Sequence, residues 1–277
     1  MNVNAHNYNY PNWTDKFVNH PVSIKEILNI DYTINNNNSW NNFLQLEQTR
    51  INLAKAEHYL NNAVQDNKII YPDPDLVFNF MHLTKPNDIK VVIIGQDPYF
   101  NCEVVNSQCI PQAVGLSFSV LKGISIPSSL YNIYRNLLKF NHILAIPTDG
   151  DLSYWASQGC LMLNVALTVV KKKKNSHQRV WGGFTDDIIR YVSSTYSNIV
   201  FLLWGKFALE KYDNHIINRD MNHLVIISSH PSGLSCNGTM KSSKTGKMYE
   251  CFMNTDHFGM TNEFLINNNR QPIVWKL

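Results

Sequence analysis

Four short runs of consecutive apolar residues punctuate the middle of the chain: Val91-Val92-Ile93-Ile94, Cys160-Leu161-Met162-Leu163, Ile199-Val200-Phe201-Leu202-Leu203 and Leu224-Val225-Ile226-Ile227. Each has strand length, and an apolar run without alternation belongs to a strand buried on both faces, as at the centre of a parallel sheet. Between the runs the period lengthens. Leu130, Ile133, Tyr134, Leu137 and Leu138 fall on one helical face behind Ser128 or Ser129 as N-cap, and Phe184, Ile188, Ile189 and Val192 make a second such face. Upstream, Phe43, Leu44, Ile51, Leu53, Ala54 and Leu60 recur at roughly helical spacing between Trp40 and Val64, and Pro72 and Pro74 close that segment. A polar loop with lysines and glycines, Asn237 to Tyr249, leads to a last helix over Phe258 to Asn267. After it, Pro272-Ile273-Val274-Trp275 is expected to return onto the domain. Strands alternating with helices predict a doubly wound α/β fold, its central, mostly parallel four-stranded sheet flanked by helices.

The start of the chain breaks this rhythm. Residues 1–39 are rich in Asn and Tyr, end in Asn35-Asn36-Asn37-Asn38 and hold no sustained period, so they are expected to be a loosely held tail on a domain spanning 40–277. Such a tail is a candidate docking arm for a replication or repair partner, although its residues name none.

Composition narrows the class only a little. With 277 residues, 44% apolar and 16% charged, the chain fits one globular core, and a net charge of +3 permits a polyanionic partner without arguing for one. The five cysteines, Cys102, Cys109, Cys160, Cys236 and Cys251, contain no C-x-x-C pair and resemble neither a disulfide framework nor a zinc or iron–sulfur ligand set. No metal or cofactor is expected, and a reducing compartment fits best. Met1 to Asp31 lacks the apolar core of a signal peptide, and no run reaches about 18 apolar residues. The expectation is an intracellular protein, in nucleus or cytoplasm, with no membrane segment.

The chemistry stands at the strand ends, where ligands bind in open α/β sheets. Gly95-Gln96-Asp97-Pro98-Tyr99 follows the first run, Asn164 the second, and His230-Pro231-Ser232-Gly233-Leu234-Ser235 the fourth. A carboxylate can activate water or stabilise a cationic sugar, an amide can read a base edge, and an imidazole can stabilise a leaving anion, a trio suited to glycosidic cleavage. Taken singly, each has a plainer reading: an Asp before Pro forms turns, and a lone His is usually satisfied structure. Three of them at the ends of one sheet favour the chemical reading.

These strings are more specific together. Val91 to Tyr99, Gly115-Leu116-Ser117-Phe118-Ser119-Val120, Leu161 to Asn164, Asn175-Ser176-His177, Phe201-Leu202-Leu203-Trp204-Gly205 and His230-Pro231-Ser232 resemble, in order and spacing, the single-domain uracil-DNA glycosylase family, over about Tyr71 to Trp275. The resemblance implies an enzyme that flips uracil out of single- or double-stranded DNA, hydrolyses its N-glycosidic bond and leaves an abasic site for base excision repair. It implies that Asp97 positions the water and stabilises the sugar cation, and that His230 hydrogen-bonds uracil O2 as charge builds there. Gln96 would contact the uracil edge, Tyr99 would exclude the 5-methyl of thymine, Phe118 would stack on the base and Asn164 would pair with O4 and N3.

The resemblance further implies that Leu234 is a wedge entering the base stack, with core packing as its plainer alternative. Ser129, Ser232 and Ser235 would grip phosphates, unless they serve as helix cap and turn formers. Lys171, Lys172, Lys173 and Lys174 form a basic run that either approaches DNA or is simply a solvated loop. The chain departs from the family pattern at Phe100 and Val114, each in place of a common His, at a longer segment from Asn101 to Gln112, and at Gly233 in place of a Pro. These departures keep a rival reading open, a glycosylase-fold DNA-binding or replication accessory protein with reduced activity. An iron–sulfur type of uracil glycosylase would need four suitably placed cysteines, which the spacing does not supply. The enzyme is expected to be a monomer.

Overall fold

The computed structural model describes residues 4–30, 39–214, 217–218 and 220–277. The four apolar runs form strands β1 (Val91–Gly95), β2 (Cys160–Asn164), β3 (Val200–Trp204) and β4 (Leu224–Ser228). They pair in the order β2-β1-β3-β4, every neighbour parallel. Every position of β1, β2 and β3 is buried, whereas edge strand β4 is covered only in part. The chain leaves β1 toward β2 on one side and returns to β3 on the other, so the crevice between β1 and β3 is the topological switch point of the sheet.

Helices cover both faces: α1 (Glu47–Gln65), α2 (Ser128–Lys139), α3 (Gln178–Thr195), α4 (Lys206–Asp213) and α5 (His257–Asn267). The leading helical segment is divided, with a short turn at Asn41–Leu44 before α1. Asn52 of α1 then donates to Asp187 of α3 at 2.7 Å. The last helix begins at His257, one residue before the expected start, and the returning end buries Ile273 and Trp275, whose carbonyl accepts from Trp155 Nε1 at 3.0 Å. At α2 the cap reading is corrected: Pro127 holds the N-cap position, no side chain caps the helix, and Ser128 and Ser129 are its first two residues.

Two further corrections concern segments that the apolar pattern left blank. Residues 4–30 are packed rather than loosely held: Trp13, Phe17, Val22, Ile24, Ile27 and Leu28 are buried in the main core. Helical turns at Trp13–Lys16 and Ile24–Leu28 place them there, each capped by a side chain, Asn12 and Ser23. Trp13 Nε1 donates to Pro72 O at 2.8 Å, and Lys16 pairs with Asp75. Turns of four and five residues are too short to show a period, so large anchors far apart do the work of a stripe. The Asn35–Asn38 run lies outside the described residues.

The longer segment after Phe100 is a β-hairpin, Cys102–Val105 against Gln108–Pro111. Its two-residue turn, Asn106-Ser107, has positive φ at both positions (50° and 63°), as the right-handed twist of a tight hairpin requires. Diagonal neighbours Cys102 and Cys109 form a disulfide there, with Cα atoms 5.6 Å apart, which corrects the expectation that the cysteines form no disulfide. Cys160, Cys236 and Cys251 are free and buried.

Candidate active site

Above the switch point lies a cleft of about 820 Å³. It gathers Gln96, Asp97 and Tyr99 from the loop after β1, Asn164 from the end of β2, and His230, Ser232, Leu234 and Ser235 from the loop after β4. Phe118, Ser129 and Lys174 complete the set from connecting segments. Of the residues singled out in the sequence, Lys171, Lys172 and Lys173 stand outside this lining; Lys171 faces a separate cavity.

The carboxylate is held from one side only. Asp97 Oδ2 accepts the backbone N–H of Asn175 at 2.5 Å, while its Oδ1 is buried and has no hydrogen-bond partner among the described residues. Burial raises the Asp97 pKa, opposed by that N–H and by the charge of Lys174. Gln96 Nε2 donates to Asn175 Oδ1 at 2.8 Å, so one asparagine ties the loop after β1 to the end of the lysine run. Sequence reasoning quoted Asn175 within a motif without giving it a task, because a backbone N–H leaves no side-chain signal.

Asn164 is 7% exposed at the last position of β2, directly opposite Gly95. A Cβ on Gly95 would lie 2.2 Å from Asn164 Oδ1, so the amide stands upright only because that position is glycine. Phe118 adopts a left-handed backbone, φ 64°, rare for an aromatic residue and strained unless its surroundings fix it. They do: its ring packs on Trp204 at 5.4 Å and lies 6.0 Å from the His230 ring, and its carbonyl accepts from the Tyr99 hydroxyl at 3.2 Å. Tyr99 is thereby fixed at both ends, and burial pushes its pKa up.

His230 is the mirror case. Its Nδ1 accepts the Ser232 backbone N–H at 3.0 Å, so a neutral ring carries its proton on Nε2. Burial, helped by the charge of Lys174, lowers its pKa to about 4, which keeps it neutral at physiological pH. The loop beyond is anchored at its base, where Asn132 Nδ2 donates to Pro231 O at 2.8 Å and Ser229 Oγ donates to Ser235 O at 2.9 Å. Its tip is free: Leu234 is 102% exposed, and a Cβ on Gly233 would meet nothing within 4 Å. That exposure removes the core-packing alternative for Leu234. Ser129, which caps nothing, lines the cleft. Phe100, in place of a polar residue, packs with Tyr71, Ala113 and Val169, an apolar cluster that suits its ring.

Strand order, switch-point cleft and the convergence of an acid, an amide, an imidazole and two aromatic rings define an α/β enzyme of base or nucleoside recognition. The model of the uracil DNA glycosylase superfamily matches residues 81–253. A probable uracil-DNA glycosylase of Acanthamoeba polyphaga mimivirus is 36% identical over 280 residues, covering 99% of this chain and 72% of that protein. A uracil-DNA glycosylase of Campylobacter jejuni subsp. doylei is 40% identical over 258 residues, covering 92% and 100%. The crystal structure of the mimivirus enzyme superposes with a TM-score of 0.89 at 35% identity, over 99% of this chain and 97% of that one. This chain belongs to the uracil-DNA glycosylase family.

Proposed function

We propose that the switch-point cleft is where this chain, a uracil-DNA glycosylase, receives a uracil flipped out of DNA and hydrolyses its N-glycosidic bond, leaving an abasic site for base excision repair. The observation that carries the reading is the half-satisfied carboxylate: Asp97 lines the cleft, is gripped at Oδ2 and has a buried Oδ1 without a hydrogen-bond partner among the described residues. As the bond breaks, its electron pair leaves with the base and positive charge develops on the sugar. Oδ1 stabilises that cation, orients the attacking water and takes up its proton. The departing anion is met by His230 Nε2–H, a neutral donor aimed at developing charge on O2.

Selection follows from the rest of the cleft. The Asn164 amide offers a donor to O4 and an acceptor to N3–H, a pattern cytosine does not match. Tyr99, immobilised through Phe118, fills the space a thymine methyl would need, and Phe118 stacks on the flipped ring. Gln96, held by Asn175, contacts the remaining edge. Ser129, Ser232 and Ser235 take phosphates, Leu234 enters the vacated stack, and Lys174 with Lys171, Lys172 and Lys173 supplies a basic margin.

On this reading the enzyme acts as a monomer on single- or double-stranded DNA. Among the described residues no helix is long and apolar enough to cross a membrane, and a DNA substrate fits an enzyme of nucleus or cytoplasm. The test is uracil release from a labelled oligonucleotide in EDTA. Release without added metal is expected, and a strict metal requirement would overturn the mechanism.

A further inference from the structure

A second cavity, of about 420 Å³, lies where residues 8–15 meet the disulfide-closed hairpin and the segment 68–73. It is within the range of about 300–1,000 Å³ usual for ligand sites, and nothing in uracil excision uses it. We propose that it takes one unpaired nucleobase, with its phosphate, from the same single strand whose uracil enters the catalytic cleft. The proposal rests on the uracil-DNA reading and extends it.

The walls are aromatic. Tyr10 is the partly exposed ring, and Tyr8, Trp13 and Tyr71 are buried behind it, with Tyr8 and Tyr10 packed edge to face at 5.3 Å. Ring faces hold bases of any identity, which is how proteins bind single strands without reading sequence. At the mouth stand two cations, Lys68 and Lys171. Lys171 Nζ sits 6.0 Å from the Tyr71 ring centre and 3.5 Å from Cys109 Sγ. Lys68 is exposed and pairs with Asp66 at 2.8 Å, an exposed contact a phosphate can displace.

One of the two acidic groups lining the cavity repels a strand less than its formal charge suggests. Asp15 is held by Asn12 Nδ2 at 2.7 Å, and Asp73 accepts the Tyr8 hydroxyl at 2.5 Å. Burial raises the Asp73 pKa to about 7, so its negative charge is partly suppressed at neutral pH. The two cavities are separate but joined by a short stretch of chain. The lysine run begins at Lys171 on the second and ends at Lys174 on the first, and Tyr71 belongs to the cluster against which Tyr99 and Phe100 of the catalytic loop pack.

The test compares three substrates: a trinucleotide with central uracil, a single strand of about 20 nucleotides, and that strand in duplex, whose paired bases cannot enter. Tyr10→Ala and Lys68→Ala remove one wall and one cation, and Gln108→Trp fills the mouth without removing either. Each should raise KM for the long single strand, by about tenfold for Tyr10→Ala, with kcat unchanged and with trinucleotide and duplex kinetics within about twofold of the parent. Unchanged KM for the single strand in all three variants overturns the proposal, as does an equal loss on all three substrates. Uracil release from the trinucleotide by the parent enzyme checks the catalytic reading separately.

Discussion

The two sides of the catalytic cleft are built to opposite standards. On the side of β1 and β2, Asp97, Gln96, Tyr99 and Phe118 are each fixed by a named neighbour, Asn164 stands against Gly95, and one of them accepts a strained backbone to be there. On the side of β4, the loop is pinned at its base and then released, with Leu234 fully exposed and Gly233 in open space. Groups that act on a transition state must be in place before it forms, because reorganisation during reaction adds to the barrier. Groups that penetrate a base stack are needed only once DNA is bound, so their loop can stay loose beforehand and be ordered on binding.

The widest separation between the two sides should come from Asp97→Asn. It is expected to lower kcat by about 10²–10⁴-fold while leaving DNA affinity within a few-fold, since the carboxylate acts on the transition state and not on the strand. Single-turnover excision beside fluorescence anisotropy reads both, and matched losses would erase the distinction between a chemical side and a DNA-handling side.

Next come the two specificity groups on the fixed side. Tyr99→Ala should admit thymine and Asn164→Asp should admit cytosine, each with about 10²-fold loss on uracil, because altering a site built for one base edge leaves polar groups unpaired. Release of each base from matched oligonucleotides checks this. A folded, active Tyr99→Ala enzyme that still rejects thymine would show that the ring is not the methyl filter.

A smaller effect belongs to Lys174, which touches both sides through its charge. Burial raises the Asp97 pKa and the Lys174 ammonium pulls it down, and the same charge helps hold His230 at about 4. In the proposed mechanism the active form has Asp97 ionised and His230 neutral, so activity is expected above both pKa values and to fall as pH drops through the higher one. Removing the positive charge raises both. Lys174→Gln should therefore move the acid limb of kcat/KM to higher pH and lower activity at acidic pH by about threefold to tenfold, with little change at alkaline pH. Lys172→Gln, outside the cleft, should leave the limb where it is.

Much of this was legible in the sequence, and its gaps have physical causes. The sheet was plain because Val91–Ile94, Cys160–Leu163 and Val200–Leu203 are apolar at every position, which no loop can sustain in water. Asp97, Asn164 and His230 were legible because strand ends converge. The fold of residues 4–30 was hidden, since Trp13, Phe17 and Ile27 sit on turns too short for periodicity. The hairpin after Phe100 was hidden because its polar strand residues, Glu103 and Gln108 among them, read as loop. Asn175 escaped because its contribution to Asp97 is main-chain, and nothing in a side chain announces a well-placed N–H.

The mildest change probes the loose side alone. Gly233→Ala meets no neighbour and needs no left-handed backbone, so it should only narrow the loop's unbound ensemble. DNA binding should tighten by about twofold to fivefold with kcat on single strands unchanged, as read by titration and single-turnover rates. A fall in affinity would mean that the tip needs its freedom to seat Leu234.

Gly95 carries a different lesson about where base selection is encoded. The group proposed to read uracil is Asn164, yet its stance depends on a hydrogen atom standing where every other residue has carbon, one strand away. Fidelity in this enzyme is thus inherited partly through an omission: a lineage can keep every atom that touches the base and still lose its discrimination by adding a single methyl group behind the reading amide.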